Sequence, residues 1–181
     1  MTSQPDISAV VLTFNEALNI RHCLEGVRTL PEVFVVDSGS TDDTVAICRE
    51  YTDRIVEHPY RNHAEQWQWA LDHLPIKTDW ILALDADFVV SPQLLARITE
   101  EISRIPQEVA GVYVRHLYIQ GFEGGQELSG CGSVGLVAQR QQAGHGYMRS
   151  VGIVGPLHGR LLGSTRMLAI LSQLDLLGRG D

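Results

Sequence analysis

Over the first 120 residues, short runs of apolar residues alternate with segments whose apolar residues recur at helical spacing. Ile7 to Leu12 is the first run, and the apolar positions from Ala17 to Val27 then repeat every three or four residues. Asn15 lies between the two segments and is predicted to cap the helix, because asparagine is favoured at that position. The pattern therefore predicts a strand followed by a helix.

The same unit recurs along the chain. Further strands are predicted over residues 33–36, 54–57, 80–84 and 111–119, and helices over residues 44–50, 64–74 and 91–104. Strands that are apolar throughout, without alternation, are buried on both faces, and with intervening helices they form a parallel sheet. The sequence therefore predicts an α/β fold, a three-layer α/β/α sandwich around a mostly parallel, Rossmann-like sheet.

The character of the chain changes after Gly121. No aspartate or glutamate occurs between Leu128 and Leu174, whereas 20 of the 22 acidic residues precede Leu128 and 11 of the 17 glycines follow Glu127. The alternation of strand and helix patterns also ends. We therefore predict a core over residues 1–120 and an irregular, glycine-rich and acid-poor tail over residues 121–181.

The charge of the chain excludes some partners and constrains others. The net charge is −8 and Lys77 is the only lysine, so nucleic acid is not an expected partner. An acidic protein that binds an anionic substrate needs local positive charge, which a bound divalent cation supplies.

Cysteine usage and the ends of the chain indicate a compartment. Cys23, Cys48 and Cys131 are far apart and odd in number, which favours reduced thiols, the first two buried in helices. The first residues lack a signal-peptide pattern, which predicts a cytoplasmic protein. The apolar stretch Val151 to Leu177 is interrupted by charged residues and is too short of clean apolar positions to span a bilayer. Peripheral association with the inner face of the plasma membrane remains an alternative to packing in a core.

Polar residues follow three of the predicted strands, where ligands bind to open α/β sheets. Thr13 to Glu16 follow the first strand, Asp37 and Ser38 the second, and Asp85 and Asp87 the fourth. Two adjacent carboxylates hold a hard cation and leave coordination sites for phosphate oxygens. The alternative is that these acids are solvated turn residues capping the next helix.

These residues form an ordered set of motifs, which are Thr13-Phe14-Asn15-Glu16, Val35-Val36-Asp37-Ser38-Gly39-Ser40-Thr41-Asp42-Asp43-Thr44, Arg61-Asn62-His63-Ala64-Glu65-Gln66 and Leu84-Asp85-Ala86-Asp87. In this order and spacing, over about residues 7 to 120, the chain resembles the family 2 glycosyltransferases, inverting enzymes of the GT-A fold. The resemblance is closest to bacterial members that build envelope or exported polysaccharides. It implies that residues 1–120 form a nucleotide-sugar-binding core.

The resemblance also implies roles for individual residues. It places Asp87 on a Mg²⁺ or Mn²⁺ ion at the diphosphate, in the DXD motif. It assigns donor binding to Thr13, Phe14, Asn15, Glu16, Asp37, Ser38, Asn62, Gln66 and Asp85. The chain departs from the family pattern at Phe88, where an acidic residue is common.

Each assignment has a structural alternative. Asp37 is also a good Asx-turn residue, and Asn15 a good helix cap. Arg61, Asn62 and Gln66 are equally compatible with an ordinary helix start.

The resemblance implies two partners, a nucleoside diphosphate sugar donor and a saccharide or lipid-linked acceptor. The catalytic base should lie in the second half, where Glu123 and Glu127 are the weak candidates before the acid-free segment. We hypothesise that the tail is truncated or out of frame relative to the family, which translation of the other two reading frames tests.

Two other classes of function remain open from the sequence. The first is a non-catalytic module that binds nucleotide sugars. The second is a nucleotidyltransferase with a similar sheet, although Thr13 to Asn19 contains none of the lysine, arginine or glycine that its phosphate loop needs.

Overall fold

The computed structural model describes residues 6–105 with their side chains, and residues 111–122, 125–138 and 167–177 as backbone. The elements alternate as the apolar pattern predicts. They are β1 (Ile7–Thr13), α1 (Ile20–Val27), β2 (Glu32–Asp37), α2 (Thr44–Cys48), β3 (Ile55–Glu57), α3 (His63–His73), β4 (Trp80–Asp85), α4 (Pro92–Ile102), β5 (Gly111–Phe122), β6 (Gly125–Ala138) and β7 (Met167–Leu177).

The strands form one sheet in the order β3-β2-β1-β4-β6-β5-β7. Strands β3, β2, β1 and β4 are parallel, whereas β6 pairs with β4 and with β5 in antiparallel fashion and β7 pairs antiparallel with β5. The predicted fold class, an α/β sandwich with a mostly parallel sheet in the core, is confirmed. The central position of β1 brings its carboxyl end between those of β2 and β4.

Helices cover both faces of the parallel sheet. Alternate residues of β1 contribute to two separate cores, with Val11 packed against the side of α1 and α4, and Val10 against α3. All seven residues of β1 are buried, as are all six of β2. This two-sided burial explains why the strands are apolar without alternation.

The structure differs from the sequence prediction in the tail. Regular strands β6 and β7 occur in the segment where no regular element is predicted. The strand β6 contains four glycines, which have no side chain to pack on a sheet, so its sequence lacks the pattern typical of a strand. The apolar residues of β7 do not alternate strictly with polar ones, so the period of two is lost.

Two further predictions concern the thiols and the membrane. Cys23 and Cys48 are buried and free, as predicted, while the side chain of Cys131 lies outside the described residues. In the part of the chain that the structure describes, the longest helices have 11 residues, and none has the length and apolar character to cross a bilayer.

Gly26 lets helix α1 approach the segment after β4 closely. A Cβ atom at this position would clash with the carbonyl oxygen of Val90 and lie 3.1 Å from its nitrogen. Both neighbours are backbone atoms, so they cannot move aside as a flexible side chain would. The glycine therefore sets the distance between α1 and the loop that carries Asp85 and Asp87.

We expect Gly26→Ala to lower the free energy of unfolding by about 1–3 kcal/mol, because overpacking outweighs the higher helix propensity of alanine. Urea unfolding measures the change. The exposed His22→Ala in the same helix is the control and should change stability by less than about 0.5 kcal/mol. An unchanged or higher stability of Gly26→Ala would show that the helix has room to move.

Candidate functional site

The polar residues predicted at the strand ends lie side by side at the carboxyl edge of the sheet. Thr13 is paired in register with Asp37, and Leu12 with Asp85. The backbone continues these ladders, since the amide of Ser38 donates to the carbonyl of Thr13 and the amide of Ala86 donates to that of Leu12. Three of the four predicted motifs therefore meet in one crevice.

The Asp-Ala-Asp segment forms a tight turn anchored in the core. The amide of Phe88 donates to the carbonyl of Asp85 at 3.0 Å. Ala86 and Phe88 are buried, whereas Asp85 and Asp87 are half-buried. Phe88, the departure from the family pattern, thus anchors the turn that holds the two aspartates.

The crevice concentrates negative charge. Burial, and after it the charges of Asp87 and Glu16, together raise the pKa of Asp85 to about 7. The pKa of Glu16 is also raised, by burial first and then by Asp87 and Asp42, against a hydrogen bond of 2.8 Å from Asn19 that lowers it. Negative charges this close together make ionisation of each carboxyl less favourable, unless a cation neutralises them.

The loops after β1 and β2 are joined by reciprocal hydrogen bonds. The amide of Asn15 donates to Ser40 Oγ and the amide of Thr41 to Asn15 Oδ1, each at 2.8 Å. The amide of Glu16 donates to Thr44 Oγ1, also at 2.8 Å. These bonds hold the Glu16 backbone beside the crevice.

The prediction that Asn15 caps the first helix is wrong. Helix α1 begins at Ile20, with Asn19 at its N-cap. Asn15 has φ +53°, in the left-handed region that asparagine tolerates better than most residues. Its side chain is used to bind the neighbouring loop instead of a helix end.

Asp37 forms the turn that the sequence allowed as an alternative. Its Oδ2 accepts from the amides of Gly39 and Ser40, at 3.0 and 2.8 Å, and its Oδ1 accepts from Ser40 Oγ. The side chain is buried. These bonds fix the conformation of the Asp37–Ser40 loop, and direct contact of Asp37 with a donor stays a prediction.

Thr13 and Phe14, at the end of β1, both have side chains in unusual environments. Thr13 Oγ1 is buried with no hydrogen-bond partner among the residues that the structure describes. Such orphaned polar atoms are uncommon and call for an explanation, such as an absent ligand. The next residue, Phe14, is 55% exposed, an unusual state for a large apolar side chain. Both observations agree with the predicted role in donor binding, which stays a prediction.

The hydrogen bonds of Asn62 stabilise the beginning of helix α3. It is the N-cap of α3, where its Oδ1 accepts from the amide of Glu65 and its Nδ2 donates to the Glu65 carboxylate, at 2.9 and 2.7 Å. The first of these bonds is an ordinary N-cap bond, and the second holds the two side chains together. The helix-start interpretation describes these contacts, and the donor contact of Asn62 stays a prediction.

The two tryptophans of α3 pack against other side chains of the protein. Trp67 is buried, and its Nε1 donates to His63 Nε2. Trp69 is covered on its faces by His58 and His73, with ring centroids 4.2 and 4.9 Å away. Both indoles therefore have partners within the protein.

The donor atoms at the crevice suit a hard divalent cation. Carboxylate oxygens are the ligands of Mg²⁺ and Mn²⁺, and Mg²⁺ commonly binds one or two carboxylates and completes its shell with phosphates and water. Within residues 6–105, no group of three or more histidine, cysteine, aspartate or glutamate side chains is placed to hold a metal. Asp85 and Asp87, two half-buried carboxylates on one turn, supply oxygen atoms of the kind that such a cation prefers.

Sequence reasoning did not predict that Glu16 is close enough to raise the pKa of Asp85, and it overlooked His58. The position of His58 directly after β3 is the signal that could have found it. The predicted candidates for the base, Glu123 and the side chain of Glu127, lie outside the described residues.

Comparison with known proteins agrees with the geometry. The model of the family described as Glycosyl transferase family 2 matches residues 8–141. The lipopolysaccharide core biosynthesis glycosyltransferase LpsC of Rhizobium meliloti is 30% identical over 121 residues, which are 64% of this chain and 44% of LpsC. An uncharacterized glycosyltransferase of Rickettsia felis is 40% identical over 89 residues, 49% of this chain and 31% of that protein.

A solved structure shows similarity at lower identity. Glucosyl-3-phosphoglycerate synthase of Mycobacterium tuberculosis, in complex with Mn²⁺ and UDP-glucose, superposes with a TM-score of 0.48 at 21% identity. The match covers 59% of this chain and 42% of the synthase. The chain thus spans less than half the length of each of these three proteins.

Proposed function

The chain belongs to glycosyl transferase family 2, and from this premise we propose that it transfers a sugar from a nucleoside diphosphate sugar to a hydroxyl of an acceptor. The family membership indicated by the four motifs is confirmed. The carboxylate pair at the end of β4 is the observation that carries the proposal, because two carboxylates on one turn at the carboxyl edge of the sheet supply oxygen ligands for a divalent cation that also binds a diphosphate.

Asp87 would hold Mg²⁺ or Mn²⁺ beside the diphosphate, with Asp85 facing the ribose or sugar. When bound, the cation supplies Lewis-acid stabilisation of the leaving nucleoside diphosphate. Thr13, Phe14 and Asn15 would line the nucleotide pocket, as would the residues Glu16, Asp37, Ser38, Asn62 and Gln66. The hydrogen bonds between the first two loops preorganise this pocket before the donor arrives.

We further propose inversion at the sugar and a role in the bacterial cell envelope or in an exported polysaccharide. The envelope role is supported by the name of LpsC, of which the chain covers 44%. The acceptor would be a saccharide or a lipid-linked saccharide, and the site of action the cytoplasm or the inner face of the plasma membrane. An inverting transfer also needs a base for the acceptor hydroxyl, and Glu123 and Glu127 remain the weak candidates.

One observation favours a second function, a non-catalytic module that binds nucleotide sugars. Residues 128–174 contain no acidic side chain, whereas the base of an inverting transfer is normally a carboxylate. A chain that lacks the base would bind the donor and not transfer it.

Calorimetric titration with UDP, GDP and dTDP, each with and without Mn²⁺, tests the proposed function. We expect at least one nucleotide to bind about tenfold more tightly with Mn²⁺ than without it. Release of sugar from the matching donor, with a panel of acceptors, then separates the enzyme from the module. If none of the nucleotides binds under either condition, both functions are excluded.

A further inference from the structure

Gln66 lies in the first turn of α3 with its side-chain amide buried, at 1% exposure. Its Nε2 lies 3.2 Å from Ser38 Oγ and 3.1 Å from the carbonyl oxygen of His58, and its Oε1 lies 2.8 Å from His58 Nδ1. Both polar atoms of the amide therefore have protein partners. A side chain in this state is poorly placed to bind a donor directly.

The partners of Gln66 fix the orientation of its amide. A carbonyl oxygen only accepts hydrogen bonds, so the Gln66 atom beside the His58 carbonyl is the nitrogen. Oε1 must then face the His58 ring, and because this oxygen only accepts, His58 Nδ1 carries a proton. The amide thus selects one tautomer of the neutral imidazole, with the lone pair on Nε2.

The ring of His58 is held from a second side. Trp69, one turn along α3 from Gln66, stacks on the imidazole with centroids 4.2 Å apart and an interplanar angle of 18°. Rotation of the ring would break both the stacking contact and the hydrogen bond to Gln66. Helix α3 therefore clamps His58 through two side chains on one face.

The two loops that Gln66 joins are neighbours at the carboxyl edge of the sheet. Ser38 follows β2 and His58 follows β3, and the His58 amide donates to the carbonyl of Asp37 at 2.9 Å. Asp37 in turn shapes the loop up to Ser40. A single buried amide thus connects the end of β3 to the loop that borders the proposed nucleotide pocket.

We propose that Gln66 is a positioning residue, which holds Ser38 and His58 in place for nucleotide binding without touching the nucleotide itself. This inference rests on the proposed function and revises the donor contact that the resemblance implies for Gln66. Its physical basis is the cost of leaving buried polar groups without partners, which would make the two loops rearrange if the amide were removed.

Gln66→Met tests the inference, because it keeps the length of the side chain and removes all three hydrogen bonds. We expect the affinity for the nucleotide that binds the unmodified chain to fall about tenfold. In a double-mutant cycle with Ser38→Ala, the two losses should not add, because Gln66 acts through Ser38. Gln68→Met is the matched control, an exposed glutamine on the same helix that bonds to Asp72, and it should leave binding unchanged.

Nitrogen-15 NMR of the histidine rings gives a readout independent of the nucleotide. The unmodified chain should show His58 with its proton on Nδ1, and Gln66→Met should lose this preference, with the signal assigned through His58→Asn. If Gln66→Met does not fold, Gln66→Leu serves, since it removes the same three hydrogen bonds without burying a charge.

Three results would overturn the inference. Unchanged affinity in Gln66→Met, measured on folded protein, excludes a role for the amide in nucleotide binding. A loss that adds fully to that of Ser38→Ala, with the His58 tautomer unchanged, indicates direct contact with the nucleotide. If the unmodified chain binds no nucleotide, the proposed function is wrong, and this inference is wrong with it because it depends on nucleotide binding.

Discussion

Replacement of Asp87 by alanine is expected to abolish the effect of Mn²⁺ on nucleotide binding, a loss of about tenfold in affinity at saturating metal. Asp87 is one of two carboxylates on the turn after β4, and the described residues offer no cluster of three or more ligands that would compensate. Titration calorimetry with the nucleotide that binds best, with and without Mn²⁺, measures the change.

The control for Asp87→Ala is Asp53→Ala, which removes an exposed aspartate from the loop before β3. Its affinity and its response to Mn²⁺ should match those of the unmodified chain. Circular dichroism should show an intact fold for both variants. A variant without Asp87 that folds and still gains affinity from Mn²⁺ would move the metal to other ligands and contradict the assignment.

The positions of the site residues followed from the sequence because parallel strands order their own ends. Apolar runs without alternation identify strands buried on both faces, and the carboxyl ends of such strands meet at one edge. Thr13, Asp37 and Asp85 were therefore predicted to lie together, and the register of β1 with β2 and β4 confirms it.

What each side chain contacts was harder to predict. Asparagine serves equally as a helix cap and as a residue with positive φ, and the pattern alone chose the wrong role for Asn15. Asn62 is the N-cap of α3, and the side-chain amide of Gln66 makes hydrogen bonds to Ser38 and His58. These contacts depend on loops that are distant in sequence, which local patterns do not encode.

The number of negative charges that lie near Asp85 could not be predicted from the sequence either. Asp85 and Asp87 are separated by one residue, so their closeness is visible in the sequence. Glu16 is about seventy residues away, and only the packing of the β1 loop against the turn after β4 makes its charge raise the pKa of Asp85. The destabilising effect of this arrangement leads to a second prediction.

Without metal, the protein is expected to lose about 2–4 kcal/mol of stability as the pH rises from about 4 to about 7. Burial raises the pKa of Asp85 from 3.8 to about 7, so the folded state binds this proton more tightly than the unfolded chain does. Stability contributed by the protonated form is present at low pH and is lost as the carboxyl ionises in the folded state. Urea unfolding in the presence of a chelator, at several pH values, measures the slope.

Asp85→Asn separates this cause from all others, because the amide keeps the shape of the carboxyl and carries no charge. The variant should match the unmodified chain only below the ordinary carboxyl pKa of 3.8, where Asp85 is protonated in both the folded and the unfolded state, and be more stable at pH 8. Asp53→Asn should follow the unmodified chain throughout. Saturating Mn²⁺ should stabilise the unmodified chain at pH 8, because it binds the folded state, and should stabilise Asp85→Asn less. If Asp85→Asn is instead less stable at pH 8, the ionised carboxylate is compensated by protein groups, and the crevice has no need of a cation.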